Sequence, residues 1–181
     1  MHTLTGDVTV PAGVTLTIAP GATIRIPAGK RITIQGKLIA EGTSGNPVTF
    51  TKSSSTKWYG IRFQSAAGGS KLEHCTVEHA TYGIYNYSSS PDIRHCTFRY
   101  NILGVYCVYA AANHGIDDNT FTQNSSYDIY LYRHAAEIKN STIQSSCSYG
   151  IYCRQCYYTT VPRLYGNNIR NHTSKGIYIY E

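Results

Sequence analysis

The chain has 181 residues, with 16 Lys+Arg against 10 Asp+Glu, a net charge of +6 and 41% hydrophobic residues. That apolar content is enough to fill a core, which excludes a disordered chain, and no apolar run reaches the roughly 18 residues of a membrane-spanning helix. The basic balance favours acidic partners, yet it comes with no Lys/Arg run and no nucleic-acid motif, so neither nucleic acid nor membrane insertion is expected.

The chain opens without the basic start and apolar stretch of a signal peptide. In residues 1–57 apolar side chains alternate with Thr, at Val8, Val10, Val14, Leu16 and Ile18, then at Ile24, Ile26, Ile32, Ile34, Leu38, Val48 and Phe50. Alternation at period two marks half-buried strands. Pro11-Ala12-Gly13, Pro20-Gly21 and Pro27-Ala28-Gly29 mark corners between them. This opening reads as two or three less regular coils.

From residue 58 two phrases interleave. One reads Gly60-Ile61-Arg62-Phe63, Gly83-Ile84-Tyr85-Asn86, Gly104-Val105-Tyr106-Cys107, Asp128-Ile129-Tyr130-Leu131, Gly150-Ile151-Tyr152-Cys153 and Gly176-Ile177-Tyr178-Ile179, at spacings of 23, 21, 24, 22 and 26. The other runs through Cys75-Thr76-Val77, Cys96-Thr97-Phe98, Asn119-Thr120-Phe121, Ser141-Thr142-Ile143 and Asn167-Asn168-Ile169. Each copy is too short to bury its own inner face, so copies must stack strand on strand, about 4.8 Å apart, around a shared core. Parallel connections are right-handed. The expected fold is therefore all-β, a right-handed single-stranded parallel β-helix of about eight coils of roughly 22 residues. Residues 1–181 form one domain, with 58–181 as its regular part.

The period assigns faces. Ile61, Ile84, Val105, Ile129, Ile151 and Ile177 point inward, as do Phe63, Asn86, Cys107, Leu131, Cys153 and Ile179. Between them Arg62, Tyr85, Tyr106, Tyr130, Tyr152 and Tyr178 form an outward ladder, with Gln64, Tyr87, Val108, Tyr132, Arg154 and Tyr180 as the adjacent outer column.

Ile116-Asp117-Asp118-Asn119-Thr120-Phe121 and Gly150-Ile151-Tyr152 resemble the parallel β-helix repeats of the pectate-lyase-like superfamily. The opening phrases Val14-Thr15-Leu16-Thr17-Ile18-Ala19-Pro20-Gly21 and Leu38-Ile39-Ala40-Glu41-Gly42-Thr43 resemble β-helix modules of secreted and cell-surface proteins. The resemblance spans nearly the whole chain. It implies the fold, an inward Asn ladder at a corner, and a tyrosine strand equivalent to the floor of a substrate cleft. It does not imply one activity, because the superfamily holds lyases, hydrolases, epimerases and non-enzymatic modules.

Aromatic faces stack on sugar C–H surfaces and phenols bond sugar hydroxyls. The expected ligand site is Arg62, Tyr85, Tyr106, Tyr130, Tyr132, Tyr152, Arg154 and Tyr178, with polysaccharide, including anionic polysaccharide, as the partner. Cross-strand stabilisation and a protein interface are the alternatives for the same ladder. No catalytic set is legible: acids are scattered, and only Glu78 and Asp128 approach the tyrosine face. His74-Cys75 and His95-Cys96 offer zinc-type ligands on adjacent coils, but neighbouring residues at a corner do not converge, so neither metal nor cofactor is expected. Cys75 with Cys96 and Cys147 with Cys156 are candidate disulfides, and buried free thiols are the alternative.

The chain stops at Gly176-Ile177-Tyr178-Ile179-Tyr180-Glu181, inside an expected strand. An uncapped coil points to a piece of a longer protein, or to self-association through the solenoid ends. The sequence therefore points to a non-catalytic, extracellular or cell-surface binding module. A stacking structural subunit is the second reading, and a polysaccharide lyase or hydrolase the third.

Overall fold

The computed structural model describes residues 1–65, 68–109, 114–156 and 161–181. Within them are 23 strands and no helix, joined in three all-parallel sheets of eight, eight and seven strands. Successive strands visit the three sheets in turn, so every third strand pairs with its predecessor. At three strands per coil, 23 strands make seven complete coils and two strands of an eighth, with a repeat of ~23 residues. The expected β-helix is thus present, with slightly fewer and longer coils.

Residues 1–57 belong to the same three sheets as the rest. His2–Thr3, Thr23–Ile26 and Val48–Lys52 start the first sheet, Val8–Val10 and Arg31–Ile34 the second, and Thr15–Ile18 and Lys37–Glu41 the third. These coils lack the later repeat's glycine and outer tyrosine, Arg31 standing in the register of Gly60 and Thr33 in that of Arg62.

Inside, equivalent residues stack in register. The first sheet contributes Phe50, Val77, Phe98, Phe121 and Ile143, and the third contributes Leu72, Ile93, Ile116 and Ile138, all fully or almost fully buried. In the second sheet Ile61, Ile84, Val105, Ile129 and Ile151 are all 0% exposed. Ile177 and Ile179 keep the inward register but are 45% and 67% exposed, because among the described residues their strand is the last of the second sheet.

Alternation breaks once per coil where the chain enters the second sheet. Tyr82 points out, Gly83 and Ile84 both lie inside, and Tyr85 points out again. A Cβ on Gly83 would sit 2.5 Å from the carbonyl of Gly104. One on Gly104 would sit 2.5 Å from the carbonyl of Asp128 and 2.8 Å from the Phe121 ring. The recurrent glycine is thus required by close packing between coils, and it places two outward residues three positions apart on one face.

The corner column Cys75, Cys96, Asn119, Ser141 and Asn167 is buried or nearly so and bonds along the solenoid. Cys96 N–H donates to Asn119 Oδ1 (2.9 Å), Asn119 N–H to Ser141 Oγ (3.2 Å) and Ser141 N–H to Asn167 Oδ1 (3.0 Å). A second ladder, not read from the sequence, lies at the corner between the first and second sheets. There Ala80 N–H donates to Asn101 Oδ1, Asn101 N–H to Asn124 Oδ1 and Asn124 N–H to Ser145 Oγ. Both ladders satisfy buried turn amides that no sheet bond reaches.

Candidate functional site

The tyrosine ladder is in register as expected: Arg62, Tyr85, Tyr106, Tyr130, Tyr152 and Tyr178 pair coil to coil. The neighbouring column pairs as Gln64, Tyr87, Val108, Tyr132, Arg154 and Tyr180. Val108 does not face solvent, being 5% exposed. Its neighbour Tyr109 places its ring against both Tyr87 (5.9 Å) and Tyr132 (5.3 Å), Val108's own register partners, and so covers the smaller side chain between them.

A third outer column was missed in the sequence. Tyr82, Leu103, Tyr127, Tyr149 and Lys175 stack in register, and Tyr59 lies against Tyr82 at 5.3 Å. They face outward because of the inward pair at each glycine. Tyr127 and Tyr149 stack at 5.4 Å with planes 10° apart, and Tyr130 and Tyr152 at 4.8 Å with planes 22° apart. The result is a half-buried phenol surface three columns wide.

Cations line this surface. The Arg62 guanidinium lies 5.3 Å from the Tyr85 ring centre. That of Arg154 lies 5.6 Å from Tyr132 and 5.8 Å from Tyr180, and Lys175 lies 5.5 Å from Tyr178. These are cation–π distances. Burial, with neighbouring phenols second, pushes Tyr106 up to about 12. Burial likewise raises Tyr82, Tyr85, Tyr127 and Tyr152 above the ordinary phenol value. The face is therefore one of neutral hydroxyls and fixed positive charge.

The two acids expected near this face are not on it. Glu78 leaves from the first sheet and binds Arg99 Nε (2.7 Å) and Thr51 Oγ1 (2.9 Å). Asp128 points inward and is 0% exposed. Among the described residues, neither of these carboxylates reaches the tyrosine rings. His74 and His95 stack outside the corner at 4.8 Å, while the thiols of Cys75 and Cys96 point into the core, so those four groups do not converge.

All six cysteines are buried and none is in a disulfide. Cys75 and Cys96 stand side by side with their thiols in hydrogen-bonding reach. Cys147 and Cys156 are not brought together, because they stand at opposite ends of the strand Tyr149–Arg154. Cys156 instead meets Cys153.

Cys147 has other neighbours. One donor atom each from Asp128, Cys147 and His172 lies within 4.8 Å of the others. His172 Nε2 is 3.0 Å from Asp128 Oδ2, and the two side chains are 1% and 0% exposed. Asp128 also accepts from Asn124 Nδ2 (2.8 Å), Ser145 Oγ (2.5 Å) and Ser145 N–H (3.3 Å). The Cys147 thiol donates to the carbonyl of Tyr149 (3.1 Å). Burial, then the Asp128 charge, pushes that thiol up to about 12. His172 Nδ1 is buried without a hydrogen-bond partner.

None of these residues stands in a metal-ligand motif in the sequence, yet each departs from its repeat. Asp128 stands in the column of Gly60, Gly83, Gly104, Gly150 and Gly176. Cys147 and His172 continue the corner that holds Asn101 and Asn124: Thr173 N–H bonds the Cys147 carbonyl as Ser125 N–H bonds that of Asn101. Room for the Asp128 side chain exists because the next coil places Ile143 where the preceding ones place Phe98 and Phe121. Imidazole nitrogen, thiol sulfur and carboxylate oxygen are ligand types of zinc and copper, not of magnesium or calcium. The residues therefore fit a transition metal.

Comparison with curated proteins and with solved structures finds no match. A family model described as "NosD: Periplasmic copper-binding protein (NosD)" matches residues 20–181, nearly the whole solenoid. The family is one of periplasmic proteins, which places the chain in the cell envelope, outside the cytoplasm. The chain belongs to the NosD family of parallel β-helix proteins.

Proposed function

We propose that this chain is a non-catalytic binding module of the cell envelope whose ligand lies along the tyrosine face, and that the ligand class is polysaccharide, acidic polymers included. The observation that carries this reading is the register of three outer columns with Arg62, Arg154 and Lys175 at their edges. A flat, periodic phenol surface offers ring faces for sugar C–H groups and hydroxyls for sugar hydroxyls. Guanidinium groups supply bidentate donors for carboxylates. With Glu78 tied to Arg99 and Asp128 inside, the face has no acid pair for glycoside hydrolysis among the described residues.

Affinity electrophoresis against neutral and acidic polysaccharides tests it. The wild type is expected to be retarded, and Tyr106→Ala with Tyr130→Ala to migrate freely while keeping its β circular dichroism. Unretarded wild type on every polymer sinks the reading.

The family description favours a second reading, copper binding, and one observation supports it specifically: the buried Asp128, Cys147 and His172 group. The two readings concern different faces of the wall, one outside and one inside, and do not compete for residues. Copper bound per chain, measured after dialysis against a weak chelator, tests the second reading by itself.

A further inference from the structure

We infer that Asp128, Cys147 and His172 form a single buried site for one copper ion, with one ligand from each of three successive coils, and that filling it pins those coils together. This rests on the copper reading above and adds to it the site, its ligands and a structural consequence.

Three departures from the repeat meet at one point. Asp128 replaces a glycine that packing between coils otherwise requires. Cys147 and His172 stand at the corner of Asn101 and Asn124, where Ser145 already continues the ladder that bonds turn amides. A repeat protein tolerates a substitution in a column when its size and polarity suit that column. A fully buried acid in a glycine column suits neither, and costs several kcal/mol if unpaired. Asn124 and Ser145 satisfy part of the carboxylate. His172 Nε2, 3.0 Å from Asp128 Oδ2, satisfies more of it, and what these bonds leave unexplained is a thiol gathered at the same spot and an imidazole whose Nδ1 is buried without a partner.

A metal ion explains all three. Bonds of about 2.0–2.3 Å around a four-coordinate ion put donor atoms roughly 3.3–3.8 Å apart. Donors already within 4.8 Å of one another need only small side-chain movements to reach that. Asn124 and Ser145 would then orient the carboxylate from behind, the usual task of groups around a metal ligand. Among first-row divalent ions an N, S, O donor set holds copper(II) most tightly. A lone thiol, away from the Cys75–Cys96 and Cys153–Cys156 pairs, has no neighbour with which to form a disulfide on meeting it. His172 sits in a turn whose other residues, Asn171, Thr173 and Ser174, are exposed, so this turn is the route of entry.

The structural consequence follows from topology. Asp128 lies on the strand Tyr127–Tyr132, Cys147 precedes the strand Tyr149–Arg154, and His172 precedes the strand Lys175–Tyr180. These strands are consecutive in the second sheet. A shared ion is a crosslink across three layers, and binding the folded form alone raises stability by mass action.

The purified chain is titrated with Cu²⁺, and in parallel with Co²⁺ as an ion that does not oxidise thiols. The expected result is one ion per chain, a thiolate-to-metal charge-transfer band and a raised Tm. Cys147→Ser removes the band. His172→Ala weakens binding by more than the roughly 10–100-fold that follows loss of an outer-shell partner. Both variants lose the Tm rise, while Cys153→Ser with Cys156→Ser keeps band, affinity and Tm rise. Circular dichroism confirms that each variant is folded, and His172→Asn replaces any that is not. Wild type that binds neither ion overturns both the site and the copper reading. Wild type that binds copper, with folded Cys147→Ser and His172→Ala binding it equally well, overturns the site and leaves the copper reading standing. Binding of Co²⁺ without Cu²⁺ overturns copper as the occupant.

Discussion

Phe98 and Phe121 stack inside the solenoid one coil apart, with ring centres 5.0 Å from each other and planes 15° apart, and the Phe121 ring edge fills the space that a Cβ on Gly104 would need. The two features are one packing unit. Phe121→Ala removes a 0% exposed aromatic and is expected to cost about 3–5 kcal/mol. In a chain this long that lowers Tm by roughly 10 °C. Gly104→Ala forces a methyl against the Asp128 carbonyl and is expected to cost about 1–3 kcal/mol. Thermal unfolding followed by circular dichroism checks both. A Gly104→Ala protein with wild-type Tm would remove close packing as the reason for the recurrent glycine.

That unit shows why the fold was legible in the sequence. A glycine followed by an aliphatic residue, broken once at Asp128, recurs at a near-constant period only if coils stack in register. The tyrosine ladder was legible for the same reason. The column of Tyr82, Tyr127 and Tyr149 was not, because simple alternation sends Tyr82 inward from Tyr85, and only the doubled inward step at Gly83 turns it out. The Asp128, Cys147 and His172 group lay further from view. Its members are 19 and 25 residues apart in sequence, converge only when three coils are stacked, and each breaks a repeat pattern instead of forming a motif. The corner cysteines show the opposite limit: composition admits a Cys147–Cys156 pair, and a six-residue strand between them forbids it.

The phenols of the tyrosine face are expected to ionise late. Burial raises Tyr106 to about 12 and lifts Tyr82, Tyr85, Tyr127 and Tyr152 in the same direction. A folded value above the unfolded one of about 10 means the folded chain holds those protons more tightly. That stabilisation is complete below pH 10 and is lost as pH rises from there towards 12. Alkaline titration of phenolate absorbance is expected to show an ordinary group and a late group that becomes ordinary in denaturant. A single transition near 10 in the folded chain would contradict the burial of the rings.

Glu78 links three coils of the first sheet through Thr51 and Arg99. Burial pushes its carboxyl up, but the hydrogen bonds from Arg99 and Thr51 outweigh it and hold the group below the usual carboxylate range. A depressed folded value stabilises the chain above the unfolded value of about 4.3, and that contribution disappears as pH falls through the folded one. Glu78→Gln is expected to cost about 1 kcal/mol at neutral pH, since solvent screens the Arg99 side of the pair. It is also expected to flatten the acid limb of stability against pH. Parallel acid limbs for variant and wild type would assign the loss to other carboxylates.

The thiols divide by contact, and this yields the last expectation. Cys153 donates its hydrogen bond to Cys156, which lowers Cys156 to about 7 and raises Cys153. Both line an apolar cleft of ≈ 100 Å³ with Val161, Pro162 and Ile179. Cys156, the thiol whose neighbour lowers it, is therefore expected to be the one that a small alkylating reagent modifies first. Cys107 is 0% exposed and burial pushes it up to about 12, so it should react only on unfolding. Under mild oxidation Cys153–Cys156 is expected to close first, because the pair combines contact with the lowered thiol. Cys75–Cys96 should follow more slowly, because both thiols lie in the core and the contact with Cys96, then burial, pushes the Cys75 thiol up. Peptide mapping after timed alkylation and oxidation reads both orders. A Cys147–Cys156 crosslink in folded protein would mean that the strand Tyr149–Arg154 does not separate them, and the register of the second sheet would have to be redrawn.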